Sequence, residues 1–250
     1  MTTPSRKQHV LAIGGCGYVG HLLGSKVASD EVVGCGQWHT FDLRECPACP
    51  WRGGSDLYGS PGLVGDATDF GQLWYATAGI DAMVYMAEGD VNDPASLFSA
   101  AVHGVYTALS VAKARSIRRF VLLSSLSVFS TTGGDTYHVP DFSEDAPPRC
   151  EHPDGVSVLN SEWLCRYFAE TFGMSVLVLR ICGPKSDEDV RAYPGQWATL
   201  AASDLFNAVG LAVNLKDHTG FEVINIAGDL TGARIDLSRA KRILGWRPTL

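Results

Sequence analysis

One short stretch constrains this chain more than any other: Val10-Leu11-Ala12-Ile13-Gly14-Gly15-Cys16-Gly17-Tyr18-Val19-Gly20. It reads as a buried strand running into a glycine turn and then a helix. The glycines permit a tight turn and a close approach of backbone to a ligand. The helix N-terminus beyond them offers amide donors and the positive end of a dipole to a pyrophosphate. Gly14, Gly17, Tyr18, Val19 and Gly20 are therefore candidate dinucleotide contacts, with placement at the start of the chain strengthening the signal.

Behind this opening, apolar runs alternate with helical patterns, the signature of a parallel sheet with crossover helices. The strands expected are 9–13, 31–35, 82–86, 119–123, 175–179 and 222–226. The helices expected are 18–29, 69–78, 96–115, 156–172, 203–215 and 237–244. Val121-Leu122-Leu123 and Val176-Leu177-Val178-Leu179 are continuously apolar, as strands buried on both faces must be. The fold class expected is α/β, a Rossmann-type doubly wound parallel sheet. It forms a single domain over 1–250, with a dinucleotide-binding core over 1–180 and a small C-terminal substrate-side region over 181–250. Irregular stretches at 37–61, 130–153 and 183–196 are placed to build the binding crevice.

Composition narrows the function classes. With 250 residues, 46% of them apolar, the chain is long enough for one substantial core. A formal net charge of −7 argues against a nucleic-acid or anionic-membrane surface. No apolar run in the sequence suggests a membrane span, and Met1–His9 has no secretory pattern, so a cytoplasmic protein is expected. The 7 cysteines are scattered and odd in number, unlike a disulfide framework. Cys46-Pro47-Ala48-Cys49 is a lone pair with only His39 nearby. It reads as loop thiols, and no metal is expected.

Further along, Gly65-Asp66-Ala67-Thr68-Asp69, Val84-Tyr85-Met86-Ala87, Phe120-Val121-Leu122-Leu123-Ser124-Ser125 and Leu244-Gly245-Trp246-Arg247-Pro248 complete a pattern. Together with the glycine opening, it resembles the extended short-chain dehydrogenase/reductase family, the epimerase/dehydratase type. The resemblance covers nearly the whole chain, and its short C-terminal half looks most like compact uronate-dehydrogenase-type members. It implies NAD or NADP as cofactor. It also implies Asp66 as the partner of the adenine amino group, Ala67 and Ala87 beside the nucleotide, and Ser125 as the serine that positions the substrate oxygen. A small sugar-like or biosynthetic substrate and a homodimer paired through helices 96–115 and 156–172 are implied as well.

Two departures stand against that pattern. Members often end the second strand with an acidic residue for the ribose hydroxyls, but here the run Val32-Val33-Gly34-Cys35 leads to Gly36. His39 and Arg44 follow, leaving open NADP, a weakly held dinucleotide or none. Arg44 reads more simply as a solvated loop charge. The second departure is catalytic. The family's Tyr needs a Lys four residues on, because a phenol with a pKa near ~10 works at neutral pH only beside a positive charge. With Ser157 and Glu162 in register, Asp154 falls at the Tyr and Val158 at the Lys, and Ala101 replaces an Asn. No Tyr-x-x-x-Lys occurs after Ser125.

Asp154, or Glu88 past the third strand, then becomes a candidate acid or base beside Ser125. Tyr137, His138, His152 and His103 read as ordinary loop or helix-face residues. Trp163, Tyr167 and Phe168 lie at helical spacing and read as core or interface. Three functions follow: a dinucleotide-binding pseudoenzyme, an enzyme with altered chemistry, or a conventional NAD(P)-dependent sugar oxidoreductase or epimerase. The sequence does not choose between the first two.

Overall fold

The computed structural model describes residues 8–27, 37–45, 62–117, 119–129, 142–193 and 198–250. Seven strands form one sheet in the order β3-β2-β1-β4-β5-β6-β7, every neighbouring pair parallel. They are β1 His9–Ile13, β2 Gln37–Asp42, β3 Leu63–Val64, β4 Ala82–Tyr85, β5 Arg119–Ser125, β6 Ser175–Ile181 and β7 Gly220–Ile226. The helices are α1 Tyr18–Val27, α2 Phe70–Ala76, α3 Pro94–Phe98, α4 Val105–Ala114, α5 Pro153–Phe172, α6 Asp187–Ala192, α7 Ala202–Asn214 and α8 Ser238–Leu244. The doubly wound α/β expectation is met.

Alternation along the strands divides the core. Val10 and Ala12 pack with α1, α7 and α8 residues such as Leu23, Leu205, Val209 and Leu244. Leu11 and Ile13 pack with Leu73, Leu109 and Phe168 on the other face. Because β1 and β4 are neighbours although β2 and β3 intervene in sequence, chain direction reverses beside β1. Such a reversal opens a crevice at the carboxyl ends of the strands. A third, smaller cluster beyond those ends joins Leu126, Phe129, Phe142, Ala198 and Ile235.

Local signals end the helices where expected. Asp69 caps α2 by accepting from Gln72 N–H, Asp93 caps α3 ahead of Pro94, and Ser186 caps α6. Gly173 (φ +67°) closes α5 in the left-handed region.

The structure corrects three readings. Gln37–Asp42, read as the start of an irregular stretch, is the strand that pairs with β1. Trp38, Thr40 and Phe41 are the buried residues there. The stretch 31–35, with Gly36, lies outside the described residues, as do Cys46, Cys49, Tyr137 and His138. The single helix expected over 96–115 is α3 and α4 joined by a π-helical segment, Ser99–Gly104. A helix, α6, stands in a stretch read as irregular.

The helical run Pro94–Ala114 is, by length and composition, long and apolar enough to cross a membrane, contrary to the expectation that no run suggests a span. Its residues Val105, Ala108, Leu109, Val111 and Ala112 are buried in the second core.

Candidate functional site

The glycine turn lies at the carboxyl end of β1, where its three spaced glycines serve different ends. Gly14 sits at φ +87°, and a Cβ there would lie 2.5 Å from the Ala87 backbone, so β4's exit crosses directly over the turn. A Cβ on Gly20 would lie 2.2 Å from the Gly15 carbonyl, so this glycine lets α1 seat on the loop. Gly17 is exposed and would meet only the Gly14 carbonyl, at 3.3 Å, leaving its ligand-facing side open.

A cleft of about 720 Å³ spreads from this turn. Of the expected cofactor contacts, Gly14, Gly17, Tyr18, Val19, Asp66, Ala67 and Ala87 line it. Gly20 does not; it is buried behind the loop and acts by packing. At one side of the cleft stands Asp42, the last residue of β2, whose Oδ2 accepts from Cys16 N–H at 2.9 Å. This overturns the reading that a glycine ends the second strand: an acidic residue is there, six positions further on. It follows Phe41, the register partner of Ile13, so its carboxylate stands beside the glycine turn. Arg44 also lines the cleft, two residues beyond. Asp66 Oδ1 accepts from Thr68 N–H and Thr68 Oγ1, both at 2.8 Å, which orders the turn after β3.

A chamber of about 140 Å³ adjoins the cleft over β4 and β5. Glu88 and Ala87 line both spaces. The three candidate catalytic residues come together in this chamber: Ser125 from the end of β5, Asp154 from the first turn of α5, and Glu88 from the end of β4. Ser125 Oγ accepts from Ser127 N–H at 3.1 Å, leaving its own O–H to donate into the chamber. Local desolvation raises the Glu88 carboxyl above its ordinary value, although the residue as a whole is exposed. Val158 and Ala101 line the same chamber, at the positions where the family resemblance places Lys and Asn. Ala101 lies in the π-helical segment, and its carbonyl accepts from Ser161 Oγ at 2.8 Å. The segment is seated by Tyr85, whose buried hydroxyl donates to the Ala100 carbonyl at 2.6 Å. A Cβ on Gly104 would lie 2.1 Å from that hydroxyl.

A buried ion pair fixes α5 against the sheet. Arg180 donates from Nε and Nη2 to the two Glu162 oxygens at 2.9 and 2.8 Å, and Ser124 Oγ donates to Oε1 at 2.5 Å. Glu162 and Arg180 are each 3% exposed. Two turns of helix separate Glu162 from Asp154, so this clamp sets the height of Asp154 over Ser125.

Sequence reasoning singled out neither Asp42 nor Arg180. The signal for Asp42 was the Trp38–Phe41 run just ahead of it; the signal for Arg180 was a charge inside an otherwise apolar strand. Of the other candidates, His103 and His152 are exposed and outside the chamber, and His39 pairs with His9 at 3.1 Å. Among the described residues, no group of three or more His, Cys, Asp or Glu is placed to hold a metal.

Known proteins share this architecture. The model of the NAD dependent epimerase/dehydratase family matches residues 10–231. An L-arabinose 1-dehydrogenase (NAD(P)(+)) of Haloferax volcanii is 26% identical over 211 residues, 76% of this chain and 82% of that one. The uronate dehydrogenase of Agrobacterium tumefaciens superposes with a TM-score of 0.78 at 20% identity, covering 98% of this chain and 85% of that one. The UDP-glucose 4-epimerase of Brucella ovis, solved in complex with NAD, gives 0.75 at 18%, covering 97% and 94%.

Proposed function

The chain belongs to the NAD-dependent epimerase/dehydratase family, and on that premise we propose that it binds NAD or NADP and oxidises a hydroxyl of a small sugar-like substrate, with a carboxylate in place of the phenol as proton acceptor. The observation that carries this reading is the convergence of Ser125, Glu88 and Asp154 in one chamber opening beside the dinucleotide cleft. When bound, the dinucleotide supplies the hydride acceptor. Gly14, Gly17, Tyr18 and Val19 would hold its pyrophosphate, Asp42 its adenosine ribose, and Asp66 and Ala67 its adenine.

The remaining chemistry falls to this chain's own groups. Ser125, turned by Ser127 N–H, donates to the substrate oxygen. Glu88, whose carboxyl local burial raises above the ordinary glutamate value, takes the hydroxyl proton. Asp154 accepts from a second substrate hydroxyl and so fixes the sugar's orientation.

The Haloferax relative, an L-arabinose dehydrogenase, supports a free sugar, whereas the Brucella relative, a UDP-glucose epimerase, points to a nucleotide sugar. Calorimetry with NAD and NADP, followed by oxidation assays on free aldoses, uronic acids and UDP-sugars, tests the reading. Turnover that drops at least ~100-fold in Glu88→Gln while dinucleotide affinity persists is the expected result. Binding without turnover on any substrate would favour the second reading, a pseudoenzyme, for which the apolar Val158 and Ala101 speak.

A homodimer is part of the proposal. Tyr106 on α4 and Trp163, Tyr167 and Phe172 on α5 are 50, 61, 51 and 38% exposed, an aromatic face on two packed helices. Phe168, grouped with them in sequence, is instead in the core at 3%. Sedimentation of wild type against Trp163→Glu tests the assembly. Cytoplasmic residence belongs to the same proposal.

A further inference from the structure

We propose that the chamber end of the cleft discriminates by charge, holding the oxidised dinucleotide in preference to the reduced one. This rests on the dinucleotide reading above. The chamber's described lining contains two carboxylates, Glu88 and Asp154, and no Lys, Arg or His. Its other walls are apolar side chains such as Val91, Leu97 and Leu122, together with serine hydroxyls. The basic residues of the larger cleft, His21 and Arg44, stand on α1 and just past β2, away from β4 and β5.

Topology decides which part of the cofactor meets these carboxylates. Asp42 and Asp66 mark the adenosine half at the β2 and β3 side. From the glycine turn the molecule must continue over the adjoining β4, where Ala87 and Glu88 belong to both spaces. Its nicotinamide end therefore reaches the chamber. Oxidised and reduced forms differ there in one respect that matters electrostatically: the oxidised ring carries a positive charge, and the reduced ring is neutral.

A cation between two carboxylates in a partly enclosed, apolar-walled space is stabilised more than it is in water. It also offsets the cost of holding the Glu88 charge there, a cost visible in the raised Glu88 carboxyl. The reduced ring gains neither benefit. The expected consequence is that the oxidised form binds at least ~10-fold more tightly than the reduced form. The same charge difference loads the site with the oxidised form from a mixed pool, and it makes the bound reduced ring the stronger hydride donor.

The experiment is calorimetric titration with NAD+, NADH and ADP-ribose. It uses wild type, Glu88→Gln, Asp154→Asn, the Glu88→Gln/Asp154→Asn pair, and Val158→Lys, which adds a cation to the chamber wall. The preference for NAD+ should fall stepwise to near unity in the double variant and invert in Val158→Lys. ADP-ribose lacks the nicotinamide ring, so its affinity should be unchanged throughout and certifies that each variant is folded. Equal or tighter NADH binding in wild type overturns the inference, as does a preference that survives the double substitution. ADP-ribose binding with no discrimination between NAD+ and NADH removes this inference alone. Failure of all three ligands to bind removes the cofactor reading and this inference with it.

Discussion

At the end of the crevice over β1 and β2, a glycine turn and a helix N-terminus offer backbone to a ligand, with Asp42 at the end of β2 beside them. At the end over β4 and β5 it is mostly side chain: Ser125, Glu88, Asp154 and the apolar Val158. The two ends respond differently to sequence change. A backbone site needs only that glycines sit where a Cβ would collide, as at Gly14 and Gly20. A side-chain site changes character with each substitution while the fold beneath it stays the same. That asymmetry fits a chain that shares only 18–20% identity with structures it matches at TM-scores of 0.75–0.78.

Removing the clamp beneath the chamber should have the largest effect. Arg180→Met strands the Glu162 carboxylate in the core, and urea denaturation should show a loss of about 3–5 kcal/mol. If stability falls while ADP-ribose binding persists under native conditions, the two ends are mechanically separable; joint loss would show that α5 supports both. Next comes Gly17→Asp, which sets a carboxylate against the expected pyrophosphate at an open position. Dinucleotide affinity should fall at least ~100-fold by calorimetry, with the thermal midpoint little changed. Asp42→Asn weakens one set of ribose hydrogen bonds and should cost NAD about tenfold in affinity. NADP should lose less, because its 2′-phosphate gains from removal of the negative charge, so the NAD/NADP ratio reads the adenosine end alone.

The smallest effect concerns pH. Burial, then the neighbouring His9, lowers the His39 pKa, and burial with the nearby Arg119 lowers that of His218. Each ring is neutral in the folded protein at a pH where the unfolded chain already binds a proton. Stability should therefore be full above the ordinary histidine value near ~6.5 and decline as pH falls below it. Both rings keep partial solvent contact, so the decline should stay under ~1 kcal/mol. His39→Gln should flatten its share of the slope in a urea series from pH 7 to 5. Neither ring touches the cleft, so dinucleotide affinity should not follow the same curve.

Much of this could be read in the residues. The glycine turn, the alternation of strands and helices, and the continuously apolar β5 and β6 announce the sheet, because parallel strands buried on both faces leave a compositional trace. Ser125 and Asp154 follow from the family resemblance and Glu88 from its place past a strand, and the structure brings all three to one chamber. The strand at Gln37–Asp42 went unread because its residues are more polar than Val32-Val33 just ahead of them. Gln37–Asp42 takes its place through pairing with β1, which gives the polar Thr40 and His39 neighbours that no local pattern reveals.

The sequence by itself determined the fold class, the glycine turn and the set of residue types available for chemistry, since these rest on short-range periodicity and steric exclusion. Only the tertiary structure decided that Asp42 ends β2 at the side of the cleft. It also decided that Gly20 packs against the Gly15 carbonyl, that Glu162 and Arg180 form the buried clamp under α5, and that Glu88 faces both the cleft and the chamber. Each of these depends on residues far apart in the chain meeting through the parallel sheet, a long-range fact carried by strand pairing and burial rather than by any local pattern.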